Sequence, residues 1–198
     1  MGLFGRVIVA MMPLTPRFVI RWVAKRYVAG PDIDSAILLM SEMSSENACF
    51  TVDVLGEEIA TLNEAQFFID EYGRLIDAIV ESGLDANISI KPTAFGLLID
   101  NSAAHTNIER LLRRAASDDI FVRLDMEDHR VTQATIDVAL AMHEKGLTNI
   151  GVVLQGRLFR TPSDITEISK ATGAATDFRI CKGIYLEPRD IAHSGYKE

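Results

Sequence analysis

The chain has 198 residues, 48% of them hydrophobic and 24% charged, with a formal net charge of −8. That length and apolar content suffice for one domain with a sizeable core and exclude a disordered chain. The acidic balance argues against nucleic acid as a partner, because phosphate binding needs clustered Lys and Arg without competing acids.

No run of 18 apolar residues occurs, so no transmembrane helix is expected. The opening Leu3 to Leu14 is too short, and lacks the small-residue cleavage site, for a signal peptide. Cys49 and Cys181 both stand in apolar strand-like runs, which reads as buried, reduced thiols of a cytoplasmic protein.

From Arg17 to Val28 the spacing of Val19, Ile20, Val23 and Tyr27, with Arg17, Arg21, Lys25 and Arg26 between them, predicts a basic amphipathic helix ending at Ala29-Gly30-Pro31. Such a helix packs on the domain or rests on an anionic membrane surface. A second helix over Asp34 to Met43 leads to a first strand, Cys49 to Leu55. Thr61-x-x-Glu64 is a capping box opening a helix with Phe68, Tyr72, Leu75, Ile76 and Ile79 on one face and Gly83 as its stop. Ile88 to Pro92 is a strand. Thr106-x-x-Glu109 caps the next helix, carrying Ile108, Leu111, Leu112 and Ala115, and Ile120 to Met126 is the strand after it. Val131 to Glu144 reads as a helix and Ile150 to Gln155 as a strand. Thr161-Pro162 supplies a cap and an N1 proline for a helix over Ser163 to Thr172, and Phe178 to Lys182 is the fifth strand.

Strand and helix alternate with no hairpin signal, which requires parallel strands joined by right-handed crossovers. The strand starts near 49, 87, 120, 150 and 178 recur at the spacing of one βα unit. No GxGxxG follows the first strand, so a dinucleotide-binding doubly wound sheet loses its best signal. The expected fold is therefore α/β, a (β/α)8 TIM-type barrel. Closing it takes three more units, on the order of 90 residues, so the barrel is expected to be truncated after about five βα units. The expected organisation is N-terminal helices over 1–46 and the first part of a barrel over 47–198.

Arg179 and Lys182 lie on opposite sides of the last strand's pleat, in and at the end of an apolar run, where each needs an anionic or electron-rich partner. Lys91 and Asp125 stand at the ends of two earlier strands and are natural partners. If those strands are neighbours the two pair, lowering the aspartate pKa and holding the lysine charged. A structural barrel salt bridge gives the same pattern. Glu127 and Asp128 read as dipole partners opening the following helix. His105, His129, His143 and His193 have no metal-ligand spacing and read as loop or helix-surface residues, so no metal is expected.

Six segments in order, Arg26-Tyr-Val-Ala-Gly30, Asp53-Val-Leu-Gly-Glu57, Ser89-Ile-Lys-Pro-Thr93, Arg123-Leu-Asp-Met-Glu127, Val153-Leu-Gln155 and Cys181-Lys-Gly-Ile-Tyr-Leu-Glu-Pro188, carry a resemblance to proline dehydrogenase. The resemblance implies an FAD-dependent oxidation of L-proline to 1-pyrroline-5-carboxylate in proline catabolism. By the same resemblance, hydride is expected to pass to flavin N5 and electrons on to a quinone at the inner face of the plasma membrane. It implies that Lys91 and Tyr185 bind substrate and that Asp125 and Arg179 are catalytic. It also implies that Met126, Gln155, Arg179, Lys182, Gly183 and Ile184 contact the flavin.

Two departures bear on that pocket: Ile184 replaces a small alanine, and Gln155-Gly-Arg-Leu replaces Gln-Ala-Tyr-Leu. The family's Arg-Arg-x-x-Glu helix is expected beyond residue 198, making this chain an incomplete enzyme. The alternative reading is a non-catalytic barrel fragment or a self-associating module that forms a homo-oligomer through its open sheet edge.

Overall fold

The structure is a computed structural model describing Pro16, Gly30 and residues 32–194. The basic helix expected over Arg17 to Val28 lies outside these residues. The chain divides into two units, Met1–Asn47 and Ala48–Glu198. In the first, helix α1 (Ile33–Ser44) opens on Asp32, whose carboxylate accepts from the Ser35 N–H at 2.9 Å and the Ser35 hydroxyl at 2.6 Å. This is an ordinary N-cap, satisfying amides that have no partner within the helix.

The second unit repeats strand and helix: β1 (Phe50–Val52), α2 (Glu64–Glu81), β2 (Ala86–Ile90), α3 (Asn101–Ala116), β3 (Val122–Leu124), α4 (Thr132–Glu144), β4 (Ile150–Gln155), α5 (Thr161–Ala171) and β5 (Asp177–Cys181). All neighbouring strands are parallel and lie in the order β1-β2-β3-β4-β5. Sequential order distinguishes a barrel from a doubly wound sheet, where the order reverses at a switch point. The helices agree, since α2 packs on α3, α3 on α4 and α4 on α5. They therefore share one face of the sheet, and the other face is an inner one. The fold is a five-unit arc of a TIM-type barrel, as the strand periodicity predicts.

Each helix buries one stripe. On α2 it is Ala65, Phe68, Ile69, Tyr72, Leu75, Ile76 and Ile79; on α3 it is Ala104, Ile108, Leu111, Leu112 and Ala115. The i, i+3, i+4, i+7 spacing that presents these residues to the sheet holds the helices in place. All six residues of β4 are buried, whereas β1 and β5, each with a single partner among the described residues, are partly exposed.

Several local expectations are corrected. Thr106 does not cap α3. Asp100 does, accepting from the Ala103 N–H at 3.0 Å, while the Thr106 hydroxyl lies inside the helix and donates back to the Ser102 carbonyl. An aspartate six residues upstream outcompetes the Thr-x-x-Glu signal because it meets the first free amides. Thr161 is the first residue of α5 rather than its cap, and its hydroxyl donates to the Gln155 carbonyl at 2.6 Å. At Thr61 half of the expected box forms: the Glu64 carboxylate accepts from the Thr61 N–H and hydroxyl, but the Thr61 hydroxyl caps no amide. Neither cysteine is buried. Cys49 is exposed, just before edge strand β1, with its thiol donating to Asp85, and Cys181 is half-buried on the inner face.

Replacing Asp100 by alanine is expected to cost about 1 kcal/mol in urea unfolding, the usual loss for an N-cap. Thr106→Ala should stay within about 0.5 kcal/mol. The reverse ranking would restore Thr106 as the cap.

Candidate active site

Side chains alternate between the two faces of a strand, so positions two apart point the same way. Around the C-terminal ends of the five strands this rule gathers Thr51 and Asp53, Ser89 and Lys91, Asp125, Val153 and Gln155, and Arg179 and Cys181 into the lining of one hollow of about 890 Å³. The register accounts for their common depth. Val153 pairs with Arg179 and Gln155 with Cys181, while Ile90 pairs with Leu124, so Lys91 and Asp125 each stand one residue past their strand. Met126, Lys182, Gly183, Ile184 and Tyr185 complete the set, and the hollow thus brings together all nine residues singled out from sequence.

The charged groups form one connected network. The Lys91 Nζ donates to Asp53 Oδ2 at 2.7 Å and reaches Asp125 Oδ2 at 3.5 Å. The Ser89 hydroxyl donates to Asp125 Oδ1 at 2.6 Å, and the Arg179 guanidinium lies 3.1 Å from Ser89 Oγ and 3.4 Å from Asp125 Oδ1. Partial burial alone would lower the Lys91 pKa. The hydrogen bond and charge of Asp53, with the charge of Asp125, outweigh it and hold the ammonium above its ordinary value. The expected Lys91–Asp125 pair exists, but Asp53 is the closer partner. Asp53, Ser89, Arg157 and His193 also line the hollow and were given no role from sequence. Period-two alternation from Lys91 and from the end of β1 would have found Ser89 and Asp53. Nothing local marks Arg157 or His193.

Behind the network, the buried Tyr72 of α2 donates its hydroxyl to the Ser89 carbonyl at 2.7 Å and accepts from the Val54 N–H at 3.1 Å. Burial pushes its phenol well above the ordinary value, so it stays neutral and bridges the ends of β1 and β2.

A second chain of bonds runs along the rim. The Glu58 N–H donates to Thr93 Oγ1, Thr93 donates its hydroxyl and amide to Glu127 at 2.5 and 3.0 Å, and Gln155 Nε2 donates to the Glu127 carbonyl at 2.7 Å. Glu127 is only 4% exposed and its acid is raised: burial disfavours the carboxylate more than the Thr93 bonds favour it. This corrects the reading of Glu127 as a helix-dipole partner, since α4 begins only at Thr132. Asp128 is engaged instead by the Arg130 side chain and amide.

The Gln155 side chain is 1% exposed. Its amide nitrogen is committed to the Glu127 carbonyl, which fixes the orientation of the group, and its Oε1 has no partner among the described residues. Next to that oxygen stands Gly183, with φ +92°, a backbone conformation costly for any other residue. A Cβ there would collide with Gln155 Oε1 and come within 2.8 Å of Arg157 Cδ. The hollow therefore presents a buried acceptor beside bare backbone. The Tyr185 hydroxyl donates to Glu57 Oε2 at 3.1 Å, and burial together with the Glu57 charge raises its phenol.

Two outcomes follow from these environments. Asp53→Asn should lower the Lys91 pKa further than Asp125→Asn does, measured from the pH dependence of the Lys91 side-chain NMR shift; an equal or reversed ranking would make Asp125 the controlling partner. Glu127 is easier to protonate folded than unfolded. Its contribution to stability is therefore fully present below the ordinary glutamate value of about 4.3 and lost as pH rises through its folded value. Unfolding free energies of wild type relative to Glu127→Gln should fall as pH is raised from about 4.3 to neutrality, and a flat difference would remove the burial argument.

Residues 37–196 match the family model described as proline dehydrogenase. Among curated relatives, the chain is 32% identical over 169 residues to proline dehydrogenase 1 of Bacillus subtilis subsp. natto, covering 85% of this chain and 55% of that protein. It is 31% identical over 174 residues to proline dehydrogenase of Deinococcus radiodurans, covering 86% and 55%. The chain thus spans about half the length of these relatives. In fold it is similar to proline utilization A from Bdellovibrio bacteriovorus inactivated by N-propargylglycine, with a TM-score of 0.73 at 23% identity over 81% of this chain and 20% of that one. The Bradyrhizobium japonicum protein of the same name gives 0.64 at 20% identity, over 78% and 18%. With the family match running through every strand that lines the hollow, the chain belongs to the proline dehydrogenase family.

Proposed function

We propose that this chain carries the flavin-facing part of an FAD-dependent enzyme that oxidises L-proline to 1-pyrroline-5-carboxylate in proline catabolism. The observation that carries the reading is the Asp53–Lys91–Asp125–Arg179 network standing in a single hollow at the strand ends beside the Gln155 oxygen, which has no partner among the described residues. The residues suit FAD: Gln155 offers an acceptor needing a donor such as a ring N–H, and Gly183, whose missing side chain makes room for Gln155 and Arg157, lets the chain pass close beside that acceptor. Met126, Lys182 and Ile184 complete the surface against it. When bound, the flavin supplies the hydride acceptor, a chemistry no side chain provides.

The protein's part is to hold, orient and charge. Arg179 is a permanent cation suited to stabilising an electron-rich neighbour. Lys91, kept charged by Asp53, offers an ammonium to the substrate along with Tyr185. Both oxygens of Asp125 are already engaged, Oδ1 by Ser89 and Arg179 and Oδ2 by Lys91. This makes Asp125 an orienter of those donors rather than a free base. The proline nitrogen then loses its proton to solvent before the C–N bond is oxidised. Electrons leave to a quinone, which the protein meets peripherally from the cytoplasmic side.

The intact gene product is expected to purify yellow and to reduce a dye when given L-proline. The 198-residue chain alone, spanning 55% of its relatives' length, should turn over weakly or not at all. A colourless intact product with no flavin absorbance would sink the flavin reading.

A further inference from the structure

From Lys182 to Ser194 the chain has no helix and no ladder beyond one bridge, yet five of its residues, Gly183, Ile184, Tyr185, His193 and Ser194, line the hollow together with Lys182. Such a segment needs fixing from outside. Leu158 and Ala192 form an antiparallel bridge, the Phe159 N–H donates to the Ile191 carbonyl at 3.0 Å, and the His193 N–H donates to the Arg157 carbonyl at 2.9 Å. The His193 ring stands edge-on to Phe159 at 4.7 Å. These contacts hold the far end, near residues 191–193.

Near Gly183 the segment is met by several side chains from outside it: Glu57 takes the Tyr185 hydroxyl at 3.1 Å, His129 meets the Glu187 carboxylate at 2.7 Å, and Arg157 reaches both this end and the far one. The Arg157 guanidinium donates to the Tyr185 carbonyl at 2.7 Å and to the His193 carbonyl at 3.0 Å, spanning the segment from end to end. Its stem packs where a Gly183 side chain would be, with Cδ and Cγ at 2.8 and 3.0 Å from that point. Tyr185 is thereby held twice, by Arg157 at its carbonyl and by Glu57 at its hydroxyl.

We infer that Arg157 is a positioning residue that straps the 183–194 segment over the hollow and so sets where Gly183 and Tyr185 stand. The planar fork is what the task needs. It reaches two carbonyls from one side chain, whereas a lysine, with a single ammonium on a flexible stem, lacks that rigid spacing. The inference depends on the flavin reading only in the second arm of its test.

Wild type, Arg157→Ala and Arg157→Lys are compared by chymotryptic cleavage at Leu186, which is 97% exposed, with fragments assigned by mass and melting followed in parallel. Arg157→Ala is expected to be cut there at least about tenfold faster, the scale of one lost charge-assisted hydrogen bond. Cleavage elsewhere and melting should be unchanged, with Arg157→Lys recovering only part of the protection. An unchanged rate at Leu186, an acceleration spread over the whole chain, or full rescue by lysine would each overturn the strap. In the second arm FAD itself is the probe, and its affinity should fall about tenfold in Arg157→Ala. Unaltered FAD affinity would overturn the placement of Gly183 and Tyr185 by Arg157. Wild type that binds no FAD but shows the cleavage pattern would keep the strap and remove the flavin reading.

Discussion

Two carboxylates and two cations facing one another on the inner face of a parallel sheet are the constraint around which the rest of this structure is arranged. Asp53, Lys91, Asp125 and Arg179 come from the ends of four different strands, and no two of them are near in sequence. Breaking such a network by removing one partner leaves an uncompensated charge, so its members must be brought to the same depth together. Parallel register does this. One residue past the paired Ile90 and Leu124, Lys91 and Asp125 arrive side by side, and the β4–β5 pairing sets Arg179 across from Val153. A slip of one residue in any pair would turn a charge into the helix layer, so fold and site are specified by the same hydrogen-bond ladders.

Two further devices keep the strand ends from drifting. Tyr72 reaches from the helix layer to bridge Val54 and Ser89, joining the strand ends that carry Asp53 and Lys91. Along the rim, Thr93, Glu127 and Gln155 tie the loops after β1, β2 and β3 to β4. Glu127 is the costly link, a buried acid held by two donors from one threonine. A buried carboxylate in that position adds specificity to the rim at some expense in stability.

Most of the fold was legible because helices and strands here keep clean periods. The stripe on α2 and the fully buried run Ile150 to Gln155 leave little choice of element or boundary. Helix starts were less legible: Thr106-x-x-Glu109 mimics a cap, while Asp100 wins by meeting the free amides first. In the site, Lys91, Asp125 and Arg179 stood out as charges in apolar runs. Ser89 and Asp53 were readable only through alternation along a strand, and Glu127 misled because burial against Thr93 depends on a contact between distant turns. Arg157 was unreadable in kind, since its partners are backbone carbonyls, which leave no trace in side-chain chemistry.

The charge of the hollow differs from that of the chain. Lys91, Arg157, Arg179 and Lys182 line it against Asp53 and Asp125, four cations to two anions, in a protein whose formal net charge is −8. The carboxylates offset Lys91 and Arg179 within the network, and the guanidinium of Arg157 donates to backbone oxygens that carry no formal charge. A concave site with excess positive charge concentrates anions by focusing field lines between low-dielectric walls. Both ligands of the proposed reaction carry anionic groups, the dinucleotide its phosphates and the zwitterionic amino acid its carboxylate. The excess of lining cations over lining carboxylates favours those anionic groups, and the acidic exterior leaves that attraction confined to the mouth of the arc.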